Sequence, residues 1–185
     1  MNQEIEAKFL EIKTDDLIKK LHDLEARDFG EKVLKEIIFY DKAGEWRKSG
    51  KSFVRIREDF DGIKMTYKHI DEPISPVAEE IEFEISDVQK ATALLERAGL
   101  EIARKQEKKR HKFKTGDVII DIDTWPNAPT YVEVEGPSEE SIKEVAERLG
   151  FDYQKAVFGT AAMVLEKYYN IPIRTLKEFT FNKIQ

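Results

Sequence analysis

The chain has 185 residues, 41% hydrophobic and 37% charged, with a formal net charge of −6 and no cysteine. That length and apolar content suffice for a core in one domain spanning residues 1–185, while the missing cysteines exclude disulfides, thiolate metal sites and cysteine nucleophiles. The acidic balance argues against a general nucleic-acid binder, and no apolar run is long enough to span a bilayer, so no membrane association is expected and a cytoplasmic protein is.

The first predicted element is a strand through Glu4-Ile5-Glu6-Ala7-Lys8, in which Glu4, Glu6 and Lys8 share one face and Ile5, Ala7 and Phe9 the other. Its acidic, amphipathic character does not fit a signal peptide. Thr14 is placed to cap a helix through residue 24, with Leu17, Leu21 and Leu24 at helical spacing and Asp15 and Asp16 at the favoured end of the helix dipole. A strand follows over 30–41, and the glycine-containing stretch 43–51 is expected to be a mobile connection. Strands over 52–58 and 64–69 flank Asp59-Phe60-Asp61-Gly62, a hairpin turn. Pro73 and Pro76 interrupt the pattern before a strand over 79–85. Ser86 with Gln89 three residues on is a capping-box pattern for a helix through Ala98, which Gly99 ends. Strands over 100–113 and 118–123 surround Lys114-Thr115-Gly116-Asp117, a second hairpin turn, and Pro126 and Pro129 stiffen the loop before a strand over 130–135. Helices over 138–149 and 153–169 follow, and the tail offers a short strand around Phe179-Thr180-Phe181.

Charged residues at every second position recur at Arg55/Arg57, Lys64/Lys68, Glu80/Glu82/Glu84, Lys108/Arg110, Asp121/Asp123 and Glu133/Glu135. A single such pair is ordinarily the solvated face of an antiparallel sheet. Repetition on most strands, with acidic and basic strands segregated, instead suggests a sheet whose ionic face encloses a cavity for a polyanion and its metal ions. Charged strand, helix and basic hairpin occur over 4–68 and again over 80–123, a duplicated architecture suited to closing into a barrel. The expected fold is α+β, an eight-stranded antiparallel closed β-barrel with flanking helices.

These residues resemble the CYTH superfamily of triphosphate tunnel enzymes, which includes class IV adenylyl cyclases, thiamine triphosphatases and bacterial inorganic triphosphatases. Glu4-Ile5-Glu6-Ala7-Lys8 is similar to the amino-terminal ExExK signature, Arg55-Ile56-Arg57 to the RxR strand, Thr66-Tyr67-Lys68 to TxK and Glu80-Ile81-Glu82 to the central ExE. Lys108-Lys109-Arg110 is similar to KxR, and Asp123 with Glu133-Val134-Glu135 to the closing acidic group, so the resemblance covers about residues 2–168 in order. Three departures bear on substrate identity. Pro76-Val77-Ala78-Glu79 stands where many members have an arginine, Ile37 where members often have an aspartate, and Thr124-Trp125-Pro126-Asn127-Ala128-Pro129 where a glycine-containing turn is usual.

The resemblance implies a metal-dependent phosphohydrolase acting on a triphosphate-containing small molecule such as tripolyphosphate, ATP or thiamine triphosphate. It implies substrate contacts from Lys8, Arg55, Arg57, Lys68, Lys108 and Arg110, and Mg²⁺ or Mn²⁺ held by Glu4, Glu6, Asp123, Glu133 and Glu135, with Glu82 a further carboxylate of the set. It further implies that Glu4, Glu6 and Lys8 form the catalytic group. The alternatives are a class IV adenylyl cyclase making cyclic AMP and pyrophosphate from ATP, and a non-catalytic polyphosphate-binding module; a homodimer is compatible with either. The three histidines show no metal-binding spacing, Trp46 and Trp125 are open to stacking or to a surface loop, and Arg104, Lys105, Lys112 and Lys114 are expected on a solvated strand edge.

Overall fold

Alternation along each strand leaves one apolar and one charged face, and the chain satisfies both by curling its sheet into a closed barrel with the charges inside. The computed structural model describes residues 2–71 and 77–185, with the side chains of 5–71 and 77–185. Pro73, Pro76 and the side chain of Glu4 therefore lie outside the described residues. The elements run β1 (Asn2–Phe9), α1 (Thr14–Asp23), β2 (Arg27–Asp41), α2 (Glu45–Ser49), β3 (Ser52–Asp59), β4 (Gly62–His69), β5 (Val77–Glu84), α3 (Val88–Arg97), β6 (Leu100–Thr115), β7 (Val118–Thr124), β8 (Tyr131–Gly136), α4 (Glu139–Arg148), α5 (Ala161–Lys167), β9 (Glu178–Thr180) and β10 (Lys183–Ile184). Eight strands pair antiparallel in the order β6-β2-β3-β4-β5-β1-β8-β7, and β7 returns to β6 to close the ring. Each half contributes a strand, a helix and three more strands.

Both predicted hairpins form, with Asp59 opposite Gly62 and Thr115 opposite Val118 across two-residue turns. In the second, Gly116 has φ +55, a left-handed conformation that glycine adopts without steric cost. The outward apolar face is covered by helices. Leu17 and Leu21 of α1 and Ile142, Val145 and Ala146 of α4 pack on Ala7, Phe9, Ile120, Ile122, Val132 and Val134. On the far side Val88, Ala91 and Leu95 of α3 cover Phe39, Val54 and Ile56.

Several local expectations are corrected. Thr14 is the first residue of α1 and makes no cap hydrogen bond. Asp87, rather than Ser86, caps α3 by accepting the Lys90 N–H at 2.9 Å. The connection at 43–51 contains α2, whose Glu45 and Trp46 N–H groups donate to the Asp41 carboxylate at 3.0 and 2.7 Å. The helix expected over 153–169 is broken into a 3-10 turn (Tyr153–Lys155) and α5. Between them Val157 forms a bridge with the Lys8 backbone and Gly159 has φ +104. The tail adds β9 parallel to β6 and β10 antiparallel to β9.

Candidate functional site

The barrel interior holds a cavity of about 230 Å³. Because period-2 alternation brings every second side chain inward, β3 supplies Arg55, Arg57 and Asp59, β4 Lys64 and Lys68, and β5 Glu80 and Glu82. From β6 come Arg104, Gln106, Lys108, Arg110 and Lys112, a longer inward row than the KxR pair alone. Glu6, Glu36, Asp121, Glu133 and Glu135 complete the acidic wall. Of the residues implied by the resemblance, Glu6, Arg55, Arg57, Lys68, Glu82, Lys108, Arg110, Glu133 and Glu135 thus face one space. Lys8 and Asp123 stand behind it, both fully buried.

The charges are linked in chains rather than isolated pairs. Lys8 Nζ lies 2.7 Å from Glu6 and 3.7 Å from Glu133, and Lys68 lies 3.5 Å from Glu6. Arg55 reaches Glu36 at 3.8 Å, Glu80 at 3.7 Å and Glu82 at 4.0 Å. Arg110 donates to Asp123 from Nε at 2.7 Å and from Nη2 at 2.6 Å, to Glu133 at 2.7 Å, and pairs with Asp121; Lys108 adds a 2.6 Å bond to Asp123. Arg57 pairs with Asp59, and Thr66 donates to Glu82 at 2.8 Å.

Burial opposes every charge here, and its partners decide the outcome. Burial pushes the Lys8 ammonium down, but Glu6 and Glu133 outweigh it and the pKa is raised. Burial pushes the Glu133 carboxyl up, but Lys108, Lys8 and Arg110 outweigh it and hold the group well below the carboxylate range. Glu36 is likewise lowered against burial by Arg55, Lys108 and Arg57. Asp121 goes the other way. Burial pushes it up to about 6, Arg110 opposes, and the neighbouring Asp123 adds to the rise. One guanidinium is shared by three carboxylates, and Asp121 is the one that holds its proton into the mildly acidic range.

The functional pattern extends past what the sequence motifs assign. Glu36, Asp121, Arg104, Gln106 and Lys112 were not among the expected site residues, and Arg104 is 3% exposed rather than on a solvated edge. The clue for β6 was available, since 104, 106, 108, 110 and 112 share parity; the bulge opposite Ile38/Phe39 then turns Ile102 outward. Trp125 is not a surface loop aromatic: it is 2% exposed, donates to Tyr131 Oη at 3.0 Å and carries Lys108 Nζ 5.4 Å above its ring. Trp46 packs beside Tyr67 outside the cavity. His69 binds Ser52 and His111 binds Asp28, and no histidine is among the described lining residues.

The sequence matches the family model of the CYTH domain over residues 2–160. The chain belongs to the CYTH domain family. No curated protein matches it. Among solved structures, this CYTH chain is similar to a conserved hypothetical protein of Pyrococcus furiosus at 25% identity and TM-score 0.65, covering 83% of this chain and 94% of that one. A candidate adenylate cyclase of Vibrio parahaemolyticus superposes with TM-score 0.72 at 16% identity, covering 88% and 97%. A Hippeastrum protein described as a candidate adenylyl cyclase with a dominant triphosphatase activity gives TM-score 0.62 at 19% identity, covering 92% and 97%. The last two likenesses establish the shared barrel fold. No helix among the described residues is long and apolar enough to cross a membrane.

Proposed function

We propose that this CYTH domain is a divalent-metal-dependent triphosphatase. The observation that carries the reading is the convergence of Arg55, Arg57, Lys68, Lys108 and Arg110, from three strands, on one cavity. Guanidinium forks match phosphate oxygens in bidentate geometry, and the lysines add point charge. A second feature separates an enzyme from an anion-binding module. Glu6, Glu133 and Glu135 face the same space, where they repel phosphate and contribute to its binding only through a cation.

Among the described residues no three carboxylates converge closely enough to hold an ion as they stand, and Glu6 and Glu133 lean on Lys8 and Arg110. The donor chemistry nonetheless fits Mg²⁺ or Mn²⁺, which take oxygen ligands. The wall offers carboxylates without imidazole, and the buried Asp121 Oδ1 and Glu36 Oε1 have no hydrogen-bond partner among the described residues. Glu6, Glu133 and Glu135, with Glu4 and Asp123, are the residues that would hold the ion. When bound, it supplies charge neutralisation to phosphate oxygens and carboxylates together. The chain's own contribution is orientation. Lys8 stays cationic between Glu6 and Glu133, Glu133 stays ionised, and Arg55 and Arg57 grip the phosphate from the facing strand. Glu4, Glu6 and Lys8 are assigned to the catalytic group on this basis and on the ExExK resemblance.

Purified protein given tripolyphosphate, ATP and thiamine triphosphate with Mg²⁺ or Mn²⁺ should release phosphate from at least one. Arg57→Ala and Glu133→Gln should each lower kcat/KM about a hundredfold or more, the scale for losing a charge-stabilising contact. No turnover of any of the three from neutral to alkaline pH would overturn the reading, and cyclic AMP as the product from ATP would replace hydrolysis by cyclisation.

A further inference from the structure

The family match ends at residue 160, but the cavity wall continues beyond it. Ala161, Ala162, Ile173 and Arg174 line one end of the tunnel, facing Phe53, Tyr40 and Trp125. This end is built into the barrel rather than laid across it. β9 runs parallel to β6 with Glu178 opposite Lys105, and the Lys105 N–H donates to the Lys177 carbonyl at 3.0 Å. Phe179 is fully buried and stacks on Trp125 with centroids 6.1 Å apart. From the barrel side, Arg104 Nη1 donates to the Ile173 carbonyl at 2.9 Å. Arg174 is anchored to Glu166 through its guanidinium and through its N–H at 3.1 Å. Its guanidinium also passes over Gly50, where a Cβ would stand 3.0 Å from Nη2. Val164, Leu165, Ile173 and Phe179 thus join Trp125 and Tyr131 in one apolar cluster that fills the barrel end.

What remains open is about 230 Å³, below the roughly 300–1,000 Å³ of sites that enclose a whole drug-sized organic ligand. The opposite end is lined by Asp59, Lys64 and Lys112, charged side chains suited to phosphate and water rather than to a planar ring, with Ile119 beside them. An organic group therefore meets either a filled end or a charged mouth.

We propose that the C-terminal segment 171–185 is a length gauge that restricts the tunnel to inorganic tripolyphosphate and rejects nucleoside and thiamine triphosphates. The proposal rests on the triphosphatase reading and specifies its substrate class. The intact chain with Mg²⁺ should show kcat/KM for tripolyphosphate at least a hundredfold above that for ATP or thiamine triphosphate. Phe179→Ala, which removes the stack on Trp125, and Arg174→Ala, which releases the tie to Glu166, should each reduce that preference at least tenfold by lowering KM for ATP. Thermal unfolding of each variant checks that it is folded, and the second stands if the first is not. Turnover of ATP or thiamine triphosphate within tenfold of tripolyphosphate by the intact chain, or an unchanged preference in both variants, overturns the gauge while leaving the triphosphatase reading intact. Calorimetry separates the two failures: Mg²⁺-dependent binding of tripolyphosphate but not ATP, without hydrolysis, supports the gauge and removes the enzyme, whereas binding of none of the three removes both.

Discussion

Arg110 faces Asp121, Asp123 and Glu133 together, so the inner wall of β7 and β8 holds more negative charge than this one guanidinium can compensate. Glu133 has Lys8 and Lys108 as additional support, whereas at Asp121 burial and the neighbouring carboxylates outweigh Arg110 and Lys112. The Asp121 pKa therefore rises from the ordinary value near 4 to about 6. The sign follows from linkage: the folded state binds this proton more tightly than the unfolded state, so the group's contribution to stability is lost as pH rises from about 4 through about 6. Two units correspond to about 3 kcal/mol. In metal-free protein Asp121→Asn removes that titration, so its stability relative to the natural chain should improve by about 2 kcal/mol between pH 4.5 and pH 8. Denaturant unfolding in chelator at the two pH values measures this, and a relative loss of stability with rising pH would refute it.

At the scale of elements, strands and hairpins were legible because their period and turn chemistry are local. The ExExK, RxR, TxK and KxR pairs announced which face is inward, and the structure brings nine of the twelve expected site residues to one cavity wall. Glu36 was hidden because its neighbours at strand spacing on β2, Leu34 and Ile38, are apolar and make no charged pair with it. The helix over 153–169 was misread because the tie between Val157 and Lys8 is a long-range contact that no local pattern encodes. The tail's role was illegible for the same reason, since Phe179 and Ile173 become core only against Trp125. Contacts between elements also make Gly136 informative. It ends β8, where a Cβ would lie 2.9 Å from Ser141 Oγ and 3.2 Å from both Ile142 Cγ1 and Val118 Cγ2. These belong to the interface of α4 with β7, so Gly136→Ala should cost about 1–3 kcal/mol through overpacking. Equilibrium unfolding tests it, and an unchanged midpoint would mean that α4 yields without cost.

For the whole molecule, closure of β7 onto β6 has an electrostatic consequence. Among the described residues the cavity wall carries nine lysine and arginine side chains against eight carboxylates, so the interior has almost no surplus positive charge to offer a polyanion. Its ions are largely paired with one another, and drawing the bases onto phosphate leaves carboxylates buried without partners, a costly state. A divalent cation would resolve this by taking up the carboxylates that the bases release. Cation and triphosphate should therefore bind with strong positive coupling, each weak alone. Ligand at a hundredfold excess over its Kd stabilises a folded protein by about 2.7 kcal/mol. For a chain of this size that corresponds to a rise in Tm of about 5–10 °C. Tripolyphosphate with Mg²⁺ should produce such a rise, while either alone should produce much less than half of it. An equal rise with tripolyphosphate in excess chelator would show that the bases alone hold the anion, and that the carboxylates facing it serve no cation.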